Sequence, residues 1–373
     1  MMRRKHLGRK PLYWWLFLVG LHLAGLLLYV LYIRSLITAA YQGEAPDWFT
    51  QLIKGLYPRF FTEQHRFPMA FFLEKADQIL LRYLLFISMA GGVYYFYTSY
   101  QQPWRKLTQP QITPQQAYWL RIAWVVISLW AAYDWQGILL NMHRAAAFYA
   151  PISCYRLYPV FPSKILIQLC WWGWLVATLL SLTRWKTTLW TSLSVGLFII
   201  QQGWLWGFHK MDHTWASLNY MSLWMPLLVV QQQQAQRKEK TFFPASALFL
   251  IQVSIAFVYL QAGLEKLLVG GWGWLEGATF RTFLLSAQTD MGRWVAQHDF
   301  LCQLLPVLGI IFELGFLAVF ISKFWRIIWL IAGILFHLGT FLLLGAGWYI
   351  TPWTLLYIFY IFPQKNSHLA KPV

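Results

Sequence analysis

Long apolar stretches separated by short polar segments run along most of this chain. A stretch of about 20 apolar residues can cross a ~30 Å hydrocarbon core as a helix. We therefore expect an all-α fold, a polytopic transmembrane helical bundle of nine or ten spans. The stretches lie near 12–33, 78–98, 117–138, 164–182, 187–207, 214–230, 245–268, 300–321 and 325–347, with a shorter tenth near 350–362.

Composition favours the same class of protein. Hydrophobic residues make up 58% of the 373 positions and charged residues 12%, against roughly 45–50% and 25% in soluble domains. The 24 Trp, 20 Tyr and 28 Phe suit aromatic belts at the two membrane interfaces. These figures exclude an ordinary water-soluble fold.

The net charge of +17 bears on orientation. Lys and Arg lie between the apolar stretches and form no single basic face, so nucleic acid is not an expected partner. With the N-terminus inside, sixteen basic residues fall on the cytoplasmic side and eleven outside, five of those in the long 34–77 loop. Because basic residues favour cytoplasmic segments, both termini are predicted to be cytoplasmic.

The spans predict two parts. Residues 1–116 comprise two N-terminal spans, the outer loop 34–77 and a proline-punctuated linker, and residues 117–373 comprise eight helices and a short tail. The first span is too long for a signal-peptide core and is expected to be retained. The glutamine run 231–234 is expected to lie in a cytoplasmic loop.

Ionisable residues inside spans are costly and suggest function. Lys266 follows Ala262 and Gly263, small residues that would leave a notch where its ammonium could meet a ligand. Desolvation there would favour the neutral amine, which can act as a base. The alternative is structural: Lys266 lies near the outer end of its span, and its side chain could extend to the interface. Arg121 is expected to do the same at the inner end.

Two further polar groups carry alternatives. His209, Lys210, Asp212 and His213 occupy one predicted outer turn, either as an ordinary polar turn or as part of a site with Lys266; the spacing is weak evidence for a metal, and none is predicted. Glu313 and His337 lie in consecutive antiparallel helices near mid-membrane. They could form a buried structural pair or a proton relay.

Cysteine adds little. Cys154 and Cys302 both map to the outer side, where they could form a disulfide or stay free. Cys170 lies inside a span and is expected to act as a small apolar side chain.

Three stretches of residues ~117–363 resemble the HTTM domain, the membrane domain of vitamin K-dependent γ-glutamyl carboxylase and its bacterial relatives. They stand in the family's order and cover about two-thirds of the chain. The stretches are LRIAW (120–124) through Tyr149 to CYRLYP (154–159), KMDH (210–213), and YLQAGLEK (259–266) through GWL (273–275) to ILFHLG (334–339).

The resemblance implies an activity. Lys266 would deprotonate a reduced, vitamin K-like quinone and His213 would assist, after which the oxygenated product would remove a γ-proton from a glutamate that takes up carbon dioxide. The supporting or pocket residues would be Lys210, Asp212, Tyr259, Glu265, Glu313 and His337. The expected location is a bacterial inner membrane, with the lipid bilayer and a quinol or lipid substrate as partners and no protein partner specified.

Two departures from the family change the expectation. The N-terminal pair of spans has no counterpart there, and this sequence ends eleven residues after Phe362, without the large C-terminal region of animal carboxylases. We therefore expect a quinone-linked or lipid-pocket function rather than protein carboxylation. The alternative is a non-catalytic membrane protein that binds a lipid or partner, or passes a solute.

Overall fold

The computed structural model describes residues 10–56, 60–61, 64–99, 108–150, 160–208, 215–346 and 352–361. The chain divides into two compact units, Met1–Arg105 and Lys106–Val373. This division falls earlier than the boundary predicted after residue 116. The segment before the predicted boundary contains strand β1 (Gln111–Ile112), which pairs antiparallel with β2 (Phe243–Pro244) of the same unit.

The first unit is helical. An apolar helix passes through a π-helical turn, Tyr29–Ile33, into a second helix, and a short helix and a long one follow. The π turn carries a polar contact, because Tyr29 donates a hydrogen bond to Asp77 and Arg34 lies 3.7 Å from the same carboxylate. These helices are α1 (Lys10–Leu28), α2 (Arg34–Gln42), α3 (Asp47–Leu56) and α4 (Met69–Ser99).

In this unit α1 and α4 pack closely. A Cβ atom at Gly25 would lie 2.6 Å from Cε1 of Tyr83, so only glycine fits there. Imidazole Nε2 of His22 lies 2.9 Å from the hydroxyl of Ser88 on the facing helix. A glycine and the contacts of one histidine therefore help to join the two helices.

The second unit is also helical apart from the two-residue strands. Its helices are α5 (Pro114–Asn141), α6 (Lys164–Leu180), α7 (Thr187–Trp206), α8 (Ala216–Ser222), α9 (Met225–Arg237), α10 (Ser246–Glu265), α11 (Trp272–Leu275), α12 (Ala278–Ala287), α13 (Asp290–Ala296), α14 (Asp299–Gly315), α15 (Lys323–Leu344), α16 (Pro352–Leu355) and α17 (Ile358–Ile361). A 3₁₀ segment, Met142–Phe148, extends α5, a π-helical turn, Lys266–Gly270, extends α10, and a 3₁₀ turn, Phe316–Phe320, extends α14. The predicted all-α class is confirmed for the described part of the chain.

Five helical segments among the described residues are long and apolar enough to cross a membrane. They correspond to the first, third, seventh, eighth and ninth predicted spans. Large apolar side chains are exposed on them, such as Ile331 and Leu335 of α15, and such side chains suit lipid better than water. The segments are Leu16–Gln42, Pro114–Phe148, Ser246–Leu268, Asp299–Phe320 and Lys323–Leu344.

Two predicted spans are interrupted. The stretch 214–230 divides into α8 and α9, because Pro226 begins a new helix there. Within the stretch 350–362, the described residues form two four-residue helices, α16 and α17, joined by a turn. Four side chains at this end, those of Leu356, Tyr357, Phe359 and Tyr360, are almost fully buried, whereas Ile361 is exposed.

Two predictions, a loop at residues 231–234 and an Arg121 side chain at the interface, are wrong. Residues 231–234 continue helix α9 rather than forming a loop. Gln232 is 2% exposed, and its carbonyl oxygen accepts from Nη1 of Arg121 at 3.4 Å. Arg121 is itself buried and lies over the ring of Tyr118, so its side chain does not extend to the interface.

Helix α5 begins with a reciprocal cap. The Thr113 hydroxyl accepts from the backbone N–H of Gln116 at 3.1 Å, and the Gln116 side chain accepts from the N–H of Thr113 at 2.8 Å. This capping box satisfies two N–H groups that the helix leaves without partners. It defines the start of the first span of the second unit.

We expect Thr113→Ala to lower the free energy of unfolding by about 1 kcal/mol, because the cap is lost. Thr113→Ser keeps the hydroxyl and should match the wild type. Thermal and denaturant unfolding in detergent micelles measures both variants. Equal destabilisation by Ala and Ser would show that the cap does not contribute.

Candidate functional site

Three polar residues lie on one face of α10, spaced seven apart: Gln252, Tyr259 and Lys266. Seven residues make nearly two helical turns, so these side chains project in the same direction at intervals of ~10.5 Å. Each of them contacts a polar group of another segment. We call these three residues the polar face of α10.

At one end of this face, Lys266 forms an ion pair with Glu313 of α14. Its ammonium nitrogen lies 2.5 Å from Oε1 and 2.6 Å from Oε2 of the carboxylate. The Glu313 side chain is 5% exposed and that of Lys266 is 25% exposed. The ammonium also lies 5.6 Å from the ring centroid of Trp274. The lysine is therefore held on two sides but remains accessible.

This contact replaces two expectations. Glu313 pairs with Lys266, so the predicted Glu313–His337 pair is wrong. The notch beside Lys266 is also not an open ligand site, because a Cβ at Gly263 would lie 2.9 Å from Cδ2 of Leu314 and 3.1 Å from Cβ of Glu313. The small residue admits helix α14 and brings the carboxylate within reach of the ammonium.

The middle of the face carries a second network. The Tyr259 hydroxyl lies 2.7 Å from Nε2 of His337 on α15 and 2.7 Å from the hydroxyl of Tyr357. All three residues are buried. Each hydroxyl has one proton to donate, so the tautomer of His337 sets the direction of the two bonds.

Gly333 makes room for this network. A Cβ at that position would overlap the hydroxyl of Tyr357, so α15 can approach it only through a glycine. The ring of Trp353 stacks on His337 at a centroid distance of 5.8 Å, and Phe316 lies 4.4 Å from Tyr259. Aromatic rings thus surround the three polar groups, which satisfy one another.

The third residue, Gln252, connects α10 to the last described segment. Its side-chain amide donates to the carbonyl of Phe359 at 2.8 Å, and Tyr360 donates to the backbone carbonyl of Gln252. All these groups are buried. Helix α17 and the turn before it are therefore fixed by hydrogen bonds to the polar face of α10.

The remaining predicted residues fall into two groups. Lys210, Asp212 and His213 lie outside the described residues, as does Cys154. Glu265 is exposed and accepts from Gln261 at 3.4 Å, so it does not join the Lys266–Glu313 pair.

The sequence left open whether Cys302 pairs with Cys154 or stays free, and the structure shows it free. Cys302 is a buried free thiol that donates to the carbonyl of Val295 at 3.5 Å. Within the described ranges, no group of three His, Cys, Asp or Glu residues is placed to hold a metal ion.

The sequence prediction missed Tyr357, Trp274 and Gln252. The spacing of seven between Gln252, Tyr259 and Lys266 was a signal for one polar face. Tyr357 lies in the shortest predicted span and carried no comparable signal. Trp274 is one of 24 tryptophans, and only its position against Lys266 distinguishes it.

Comparison with known proteins adds no relative. No family model, no curated protein and no solved structure matches this chain. The site is therefore interpreted from its own geometry.

We expect the Lys266–Glu313 pair to be strongly coupled. Glu313→Leu alone should lower the free energy of unfolding by about 3 kcal/mol, because it leaves a largely buried ammonium without its counter-ion. Combining it with Lys266→Met should restore much of that loss, since no charge then remains. A double-mutant cycle measured by equilibrium unfolding in micelles gives the coupling energy.

The matched control cycle uses Arg293 and Asp290, which form an ion pair at the exposed surface. Its coupling should be well under about 1 kcal/mol. Additive effects at Lys266 and Glu313 would contradict the ion pair.

Proposed function

We propose that this chain is an integral membrane enzyme that removes a proton from a quinol, or from a similar lipid with an acidic hydroxyl. Lys266 is the base in this proposal. The observation that carries it is the ion pair of Lys266 with Glu313 at the end of a membrane-spanning helix. Ion pairs at such positions are costly and mark functional sites in membrane proteins.

The pair can supply a base without an unpaired charge. Glu313 takes one proton from the Lys266 ammonium, which leaves a neutral amine and a neutral carboxylic acid. The amine then takes the hydroxyl proton of the quinol. The products are an ammonium, a quinolate anion beside it and a protonated Glu313, so the total charge is unchanged.

The quinolate is the electron-rich form of the substrate, and dioxygen would be its oxidant. Lys266 remains beside it as the cation that stabilises the anion. The Lys266 side chain is a quarter exposed and has Trp274 on one side, which supports approach of a substrate beside it.

The resemblance to the HTTM domain supports a quinol as the substrate class. In that family a lysine in the matching stretch acts on vitamin K hydroquinone, and His213 occupies the position of an assisting histidine. We propose membership of this family, with His213 close enough to share the substrate with Lys266.

We also propose ten spans with both termini in the cytoplasm of a bacterium and the chain in its inner membrane. Five apolar helical segments and the excess of basic residues on the predicted inner side support this arrangement. In it, Lys266 faces the outer side.

The test is quinol oxidation by the full chain in lipid nanodiscs, followed as oxygen uptake. Lys266→Met should lower turnover by roughly 100-fold or more, as expected for loss of a general base. Glu313→Gln should also lower turnover, because an amide cannot take the lysine proton. Lys323→Met removes an exposed lysine at the start of α15 and should leave turnover unchanged.

Unchanged turnover in Lys266→Met would remove this residue from the reaction. Absence of turnover in the wild type with several benzoquinols and naphthoquinols would favour the alternative, a non-catalytic protein that binds a lipid or partner or passes a solute. In that case the polar face of α10 would serve to hold the helices together.

A further inference from the structure

Two short helices, α12 and α13, lie between the end of α10 and the start of α14. With 10 and 7 residues they are ~15 and ~10 Å long, too short to cross a ~30 Å core. They nevertheless expose large apolar side chains. These are Phe283 and Leu285 of α12, Met291 and Trp294 of α13, and Phe300 just beyond it.

Helix α13 has three distinct sides. Val295 and Ala296 are buried against the protein. Met291 and Trp294, 48% and 55% exposed, form one flank. Asp290 and Arg293 form the other flank, roughly 100° around the helix from Met291 and Trp294 at 3.6 residues per turn.

A hydrogen bond to α15 and a short connection to α14 fix the position of α13 relative to the ends of these two helices. The Thr289 hydroxyl donates to the carbonyl of Leu343 at 2.7 Å, at the last turn of α15, and also caps α13 by accepting from the N–H of Gly292. Helix α14 begins at Asp299, three residues after α13 ends. The helix therefore lies at the depth where one membrane-spanning helix ends and the next begins.

The arginines of α12 and α13 are each paired with a carboxylate. Arg293 lies 2.5 Å from the Asp290 carboxylate, and Arg281 of α12 bonds to Asp299. The hydrogen bond from Arg281 to Asp299 raises the pKa of the Arg281 guanidinium above its ordinary value. No basic cluster is left here to attract an anionic surface, so apolar contact has to be the driving force.

We infer that α12 and α13 lie in the plane of the membrane interface, with the flank of Met291 and Trp294 inserted among the lipids and the Asp290–Arg293 side in water. The partner is the lipid leaflet on the side where α10 and α15 end. The headgroups of this leaflet do not need a net charge, because the arginines of α12 and α13 are already paired. Trp and apolar side chains on one flank of a helix that also has a polar flank are typical of this location.

This placement affects the ion pair. The ring of Phe283 on α12 stacks on that of Trp274 at a centroid distance of 5.8 Å and an interplanar angle of 23°. Trp274 in turn contacts the ammonium of Lys266. A helix pair held in the interface therefore sets the depth at which lipids of this leaflet meet Lys266.

The test is depth measurement by spin labelling of the full chain in phosphatidylcholine nanodiscs. The variants are Trp294→Cys on the apolar flank and, as the matched control on the polar side of the same turn, Gln297→Cys, each with the three native cysteines replaced by alanine. The ratio of oxygen to nickel-chelate collision should be several-fold higher at 294 than at 297. Adding phosphatidylglycerol should not change it, because the arginines are already paired.

A photo-cross-linking residue at 294 or 297 in the protein with its native cysteines gives a second readout. Lipid adducts are expected from 294 and not from 297. Equal oxygen-to-nickel collision ratios at positions 294 and 297 would overturn the inference. So would protection of position 294 from both quenchers together with dipolar broadening between copies. The latter result would assign the flank to a second copy of this chain. None of these readouts depends on catalytic turnover.

Discussion

A charged group in hydrocarbon needs a counter-ion within direct contact, since no water is present to solvate it. The pairing of Lys266 with Glu313 meets this requirement and fixes how α10 and α14 face each other. Their approach depends on Gly263, where any side chain would meet Leu314 and Glu313. Without that glycine the carboxylate of Glu313 would stay out of reach of Lys266. The ion pair therefore depends on the close approach of the α10 and α14 backbones.

The same principle recurs along the polar face of α10. Tyr259 is satisfied by His337 and Tyr357, and Gln252 by the backbone near the end of the chain. Each polar group brings a different segment against α10. Lipid tails provide no hydrophobic drive for helix association, so close packing and hydrogen bonds have to hold the helices together. Gly333, which admits the Tyr357 hydroxyl, has the same role as Gly263.

The two polar networks differ in accessibility, and this difference bears on function. The Tyr259 network is surrounded by aromatic rings and its members are at most 8% exposed, which suits a structural role. The Lys266 side chain is a quarter exposed and has an aromatic ring on one side. Chemistry at a lipid substrate is therefore proposed at the end of the polar face, beside Trp274 of α11.

The sequence by itself determined which stretches are helical and apolar. Apolar length and helical rise are local properties, so they can be counted along the chain. The partner of each polar side chain could not be read from the sequence in this way. Glu313 was expected beside His337 because both were predicted near mid-membrane, yet it meets Lys266, and Arg121 meets Gln232 rather than the interface. Helical stretches follow from local composition, whereas contacts between helices depend on helix rotation and on glycines that allow close approach, and only the tertiary structure decides these.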